Sequence, residues 1–281
     1  MSADSALEAA LKRDRLIVII AALLLAVLAW GYLVWLNARM TPSAGDMGGM
    51  DMGGMDMAGM DMAGMDMSAM APTSTSLRSA QLLVVFAMWA VMMVGMMTPS
   101  VAPMLLIYTR FARYSAAQGH AFAPVAWFAA GYLAAWSLFA ALATLAQWGL
   151  ASLALLTPMM AAANRAFGGA VLIAAGIYQW LPLKDACLAQ CRSPLSFVQQ
   201  HGGFRTGAAA SLRLGLVHGL YCIGCCWALM ALLFVGGVMN LFWIATLMIL
   251  VLLEKIVPYG RRFARLLGIV AVAVGAWMLA T

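Results

Sequence analysis

Seven stretches of the chain are apolar at nearly every position, over about 16–36, 80–108, 121–150, 166–182, 214–237, 241–257 and 266–280, and charged residues gather between them. A helix of about 20 apolar residues crosses about 30 Å of hydrocarbon while satisfying its own backbone hydrogen bonds. The pattern predicts an all-α fold, a polytopic membrane helical bundle of about seven transmembrane helices. Leu16 to Leu36 is too long for the apolar core of a secretory signal, so it is expected to stay as a first anchor. The second and third stretches are long enough to tilt or to extend beyond the lipid.

Lys and Arg set the expected orientation. With the N-terminus cytoplasmic, thirteen of them fall in inside segments, among them Lys12, Arg110, Lys184, Arg213 and Arg261. Only Arg39, Arg78 and Arg165 then lie outside. This is the positive-inside bias. It divides the chain into a cytoplasmic tail with its anchor (1–36), an extracytoplasmic loop (37–79) and a six-helix membrane domain (80–281). In a bacterium the setting would be the inner membrane, with the loop in the periplasm. Composition agrees: 65% hydrophobic and 9% charged residues exclude an ordinary soluble domain. The net charge of +6 is spread over short loops, so no nucleic-acid partner is expected; the lipid bilayer is.

The loop carries candidate chemistry. Between Asp46 and Met70 the unit Asp-Met-x-x-Met repeats five times, giving Met47, Met50, Met52, Met55, Met57, Met60, Met62, Met65, Met67 and Met70. Spaced by Gly, Ala and Ser, these thioethers have little to pack against. Thioether sulfur is a soft donor suited to Cu(I) and needs no deprotonation to bind. The repeat is therefore expected to collect copper; a low-complexity linker enlarged by repeat slippage is the alternative.

Two predicted membrane helices continue the theme. In the second, Met88, Met92 and Met96 stack at intervals of four, with Met93 and Met97 alongside and Pro99 and Pro103 following. Packing explains such a stripe as readily as a sulfur-lined path does. In the fifth, His218, Cys222 and Cys225 recur at i, i+4 and i+7, with Cys226 beside Cys222 and Met230 one turn beyond. Cysteine is a good buried hydrophobe. Three in five residues with an ionisable histidine inside a membrane, however, point to a soft-metal site.

Cys187 and Cys191, also four apart, fall in a predicted cytoplasmic segment where thiols stay reduced. Lys184 and Arg192 stand close enough in sequence to favour thiolate, and two thiolates can hold Cu(I) linearly. Glu254 is expected to pair with its neighbour Lys255 or with a loop arginine. His120 and His201 are expected to be ordinary surface residues.

Several blocks carry a family resemblance: Trp89-Ala-Val-Met92-Met93 through Met96-Met97-x-Pro99, Gly176-Ile-Tyr178-Gln179, Cys187 to Pro194, Gly215-x-x-His218-Gly-x-Tyr-Cys222-x-Gly-Cys225-Cys226-Trp227, and Glu254-Lys255. In these the chain resembles the DUF2182 family of predicted metal-binding integral membrane proteins, over about residues 80 to 281. The resemblance implies metal handling, in the manner of a copper chaperone. It does not cover the first helix or the methionine repeat.

The expectation is a non-enzymatic membrane protein that collects Cu(I) on the outer loop and relays it through Met92, Met93, Met96 and Met97, then His218, Cys222, Cys225, Cys226 and Met230, and finally Cys187 and Cys191. The end is transport or delivery to a cuproprotein or a copper chaperone. A chaperone without net transport is a close alternative. A membrane thiol oxidoreductase using Cys222 and Cys225 is a different one. No nucleotide-binding or phosphorylation motif suggests an ATP-driven pump.

Overall fold

The computed structural model of the chain describes residues 3–40, 75–117, 123–157, 160–201 and 207–281. The methionine repeat, from Met47 to Met70, and His120 lie outside the described residues. The described residues form helices α1 (Ala3–Met40), α2 (Thr75–Ala117), α3 (Val125–Ser152), α4 (Arg165–Tyr178), α5 (Pro182–Arg192), α6 (Pro194–Gln200), α7 (Ala208–Ala231), α8 (Leu233–Gly236), α9 (Leu241–Ile256) and α10 (Gly260–Ala280). Among them there is no strand, only a single bridge between Leu156 and Ala162.

Five helices are long and apolar enough to cross a membrane, within α1, α2, α3, α7–α8 and α10. A sixth span results if α4 and α5, bent by 65° at Leu181–Pro182, count as one. Seven were expected, and length accounts for the difference. The 16 residues of α9 reach only about 24 Å at about 1.5 Å per residue. The 14 of α4 reach less, and the stretch predicted over 166–182 breaks before Pro182 starts a new helix. The helix predicted from 214 begins at Ala208, and the one predicted over 80–108 runs from Thr75 to Ala117.

Lipid removes the hydrophobic drive for helices to associate, so close packing at small residues takes its place. A Cβ added to Gly131 of α3 would meet the Leu212 carbonyl oxygen of α7 at 2.0 Å. One added to Gly215 would meet the Phe128 carbonyl oxygen at the same distance. The two backbones therefore touch at these glycines. Gly169 and Gly176 of α4 meet Gly275 and Gly268 of α10 in the same manner. Leucines and tryptophans face outward along the bundle, as at Leu138, Leu142, Trp148, Leu220 and Trp227. The interior is filled by the α2 methionines, Trp89, Trp136, Phe128 and the α7 thiols.

Candidate metal centre

Helix α7 turns His218, Cys222, Cys225, Cys226 and Met230 inward, all buried, and turns Leu220 and Trp227 outward. The i, i+4, i+7 stripe is thus an interior face. All five cysteines of the chain are free thiols. Cys225 and Cys226 each donate to the Cys222 carbonyl at 3.1 Å, which fixes both sulfurs close to the helix wall.

The bend after α4 brings the second cysteine pair to this face. Helix α5 lies along α7, so that Cys191 Sγ stands 4.0 Å from Cys225 Sγ. Cys187 Sγ sits over Gly224, where an added Cβ would meet it at 2.7 Å. Cys222 lies one turn before Cys225 and Cys226 on the same buried face, and its carbonyl accepts from both of their thiols. The sequence left open whether this pair meets the α7 cluster; α5 packs against α7, and its cysteines share the α7 neighbourhood. Thiolate–metal bonds are about 2.3 Å long, as for zinc. Two such bonds across 4.0 Å enclose an angle of about 120°, which leaves room for a third donor. Among the described residues no three His, Cys, Asp or Glu side chains already converge as a finished ligand set.

Cys222 is the junction of three further elements. Lys255 Nζ of α9 donates to Cys222 Sγ at 2.9 Å and to Ser100 Oγ of α2 at 3.2 Å. Ser100 Oγ is 3.8 Å from the same sulfur. Tyr132 of α3 brings its hydroxyl to 3.4 Å from Cys222 Sγ and donates to the Met97 carbonyl at 3.2 Å. The thiol helix and the methionine helix therefore meet at Ser100, Tyr132 and the Met97 backbone. Ser100, Tyr132 and Lys255 in this role escaped the sequence reading. Pro99 and Pro103 were the available signal, since helix prolines free carbonyls that neighbours must satisfy.

Two electrostatic expectations are corrected. Glu254 does not pair with Lys255; it pairs with Lys184 of α5 at 2.7 Å, both side chains 1% exposed. Gln179 donates to Glu254 Oε1 at 3.2 Å and accepts from Lys184. Nor does Lys184 or Arg192 serve the α5 thiols. Arg192 donates to the carbonyls of Val257 and Pro258 at 2.7 and 2.9 Å. Asp185, on the outer face of α5, pairs with Arg261 of α10 at 2.7 Å.

His218 lies one turn before Cys222, enclosed by the rings of Phe197, Phe128 and Tyr132 at centroid distances of 4.9, 5.9 and 6.1 Å. Its Nδ1 is buried and has no hydrogen-bond partner among the described residues. A buried polar atom left unpaired costs about 1–3 kcal/mol, and an imidazole nitrogen is a ready metal donor. His201 is half-buried, with Nδ1 2.8 Å from the Phe197 carbonyl oxygen. Met88, Met92, Met93, Met96, Met97 and Met104 are all buried in the core. Met230 borders a cavity of about 210 Å³ whose far wall includes Trp89, Phe139 and Phe234.

The described residues form an all-helical apolar bundle, with helices long enough to cross a membrane and a buried face of thiols and one imidazole. Residues 86–278 match the PpoB2 family, described as copper chaperone. That is more than two thirds of the chain, which therefore belongs to this family; membership implies copper binding. No curated protein and no solved structure matches the chain significantly.

Proposed function

We propose that the protein holds Cu(I) on the thiols gathered between α5 and α7 and passes it to a cuproprotein or to a further copper carrier. The supply comes from the methionine repeat of residues 46–70. Membership of a copper-chaperone family supports the copper-handling role. The observation that carries the reading is the approach of Cys191 to Cys225 at 4.0 Å beside Cys222. Two remote segments bring soft donors together in a buried place where thiols serve no packing need that Ala or Val could not meet. The copper is cargo: Cys191, Cys222 and Cys225 form the holding set, with Cys187, Cys226, Met230 and His218 as neighbouring donors.

Thiolates in a low-dielectric interior need balancing charge. Lys255, 2.9 Å from Cys222 Sγ, supplies it without occupying a coordination position. The thioethers of Met92, Met93, Met96 and Met97 bind more weakly than thiolates, so an ion arriving along α2 moves toward tighter ligands. The N-terminus is taken as cytoplasmic and the repeat as external, on the distribution of Lys and Arg. No chemical transformation of the cargo is part of this reading.

The test is metal analysis of purified protein under reducing conditions, comparing the wild type, a deletion of residues 46–70 and the triple variant Cys222→Ser, Cys225→Ser, Cys226→Ser. The deletion should lose the more weakly held copper and keep the tightly held ion; the triple variant should lose the tight ion. Equal retention of the tight ion by all three sinks the proposal. Copper accumulation in proteoliposomes carrying this protein alone separates transport from delivery.

A further inference from the structure

Away from the thiol face, a group of polar and sulfur side chains on α2, α3 and the connection after α3 has no role yet. It lies at the end of the bundle where α2 starts, next in sequence to the repeat. There the α3–α4 connection holds Met160 with a left-handed backbone, φ +57°. Non-glycine residues adopt that conformation rarely, and only when their surroundings enforce it. The surroundings here do. Met160 N donates to the Thr157 carbonyl at 2.8 Å, Val238 N donates to the Met160 carbonyl at 3.3 Å, and Leu156 bridges Ala162.

The result is a thioether aimed inward. Gln147 Nε2, on α3, donates to Met160 Sδ at 3.1 Å. Trp89 Nε1 donates to Gln147 Oε1 at 2.7 Å. An indole N–H can only donate, so Trp89 fixes which end of the Gln147 amide faces the sulfur. A thioether is a weak acceptor, and Gln147 is an expensive residue to bury in a membrane for so weak a bond. It engages one lone pair of the sulfur and leaves the other for a second partner.

Gln147 lines one cleft, and Trp89 borders a second cavity. A cleft of about 490 Å³ between α2 and α3 opens onto Gln147 and is lined with Gln81, Thr144 and Ser152 among apolar residues. Those polar groups suit the partial dehydration of a cation. On its other side Trp89 borders the 210 Å³ cavity that it shares with Met230. Met230 lies one turn from Cys226. The face of an indole also attracts cations, more so when desolvated.

We infer that the Gln147 cleft is the mouth through which a soft monovalent cation enters, and that the Met160 thioether, held by Gln147 and backed by Trp89, is its first fixed ligand before Met230 and the thiols. This rests on the soft-cation cargo proposed above but concerns a separate site on separate helices.

The test uses the full-length protein in detergent with silver(I), a soft monovalent ion, and maps methionine sulfoxide formation by peroxide residue by residue. Silver should slow oxidation of Met160 by about fivefold or more, and leave Met278 unchanged, in the wild type and in the triple Cys→Ser variant alike. Met160→Leu, of similar volume, should slow the arrival of silver on the α7 cysteines, read as protection from a thiol-blocking reagent, by about fivefold or more. Unchanged Met160 oxidation while the wild-type cysteines are silver-protected overturns the mouth and leaves the thiol site standing. An unaltered arrival rate in Met160→Leu does the same. Absence of silver from the cysteines as well would bring down the cargo itself.

Discussion

Lys255 and Cys222 face each other at 2.9 Å across the α9–α7 interface, and neither has a comparable relationship with the residue next to it in sequence. In the proposed site the ammonium would offset thiolate charge without ligating. Replacing Lys255 with Gln keeps much of the side-chain length, removes the charge and adds no soft donor. Cu(I) affinity of the thiol site should fall about tenfold, equivalent to about 1.4 kcal/mol. Competition with a chromophoric Cu(I) chelator measures it, and an unchanged affinity would show that Lys255 is only structural.

Cys191 and Cys187 sit one turn apart on α5 but stand in different relations to α7. Cys191 touches the Cys225 sulfur, whereas Cys187 packs on Gly224. Cys191→Ser should therefore weaken copper binding by about 100-fold, and Cys187→Ser by about tenfold or less, the size of losses seen when supporting groups of a metal site are removed. The same chelator titration distinguishes them. Equal losses would place both sulfurs in the holding set.

The Lys184–Glu254 pair is buried at both ends. Removing one partner strands a charge in a dry interior, at a cost of about 3–5 kcal/mol. Glu254→Gln and Lys184→Met should each lower the thermal midpoint of the detergent-solubilised protein substantially. The double variant Lys184→Met, Glu254→Met should recover most of the loss. If the double variant is as unstable as the worse single one, the pair stabilises through something other than mutual charge neutralisation.

Gly215→Ala should separate α7 from α3, because the new methyl would stand 2.0 Å from the Phe128 carbonyl oxygen and a backbone atom cannot swing aside. A loss of several kcal/mol is expected, about the size of severe overpacking, together with weakened copper retention. Gly149→Ala on α3 meets nothing within 4 Å and serves as the matched control. Folded yield by size-exclusion chromatography reports both.

How far the sequence carried the reading depends on which features were local. The α7 stripe was legible because His218, Cys222 and Cys225 recur at the helical period, and periodicity alone predicts which of them share a face. The burial of Met88 through Met97 followed for the same reason. The meeting of Cys191 with Cys225 was not legible, since it depends on a 65° bend at Leu181–Pro182 that folds α5 back along α7. The supposed Glu254–Lys255 pair fails on elementary geometry. Consecutive residues on a helix point about 100° apart, so neighbours in sequence diverge in space. One then reaches Lys184 on α5 and the other Cys222 on α7. Met160 and Gln147 gave no signal at all, because a thioether held by a left-handed turn follows no period.

The bend before Pro182 has an outcome for biosynthesis. Because the thiols come from two segments about thirty residues apart, the approach of Cys191 to Cys225 does not exist while α1 to α4 emerge from the ribosome. It forms only after α7 has been made and α5 has docked on it. On the proposed role, a nascent chain is thereby spared metallation at these thiols until α7 has docked against α5.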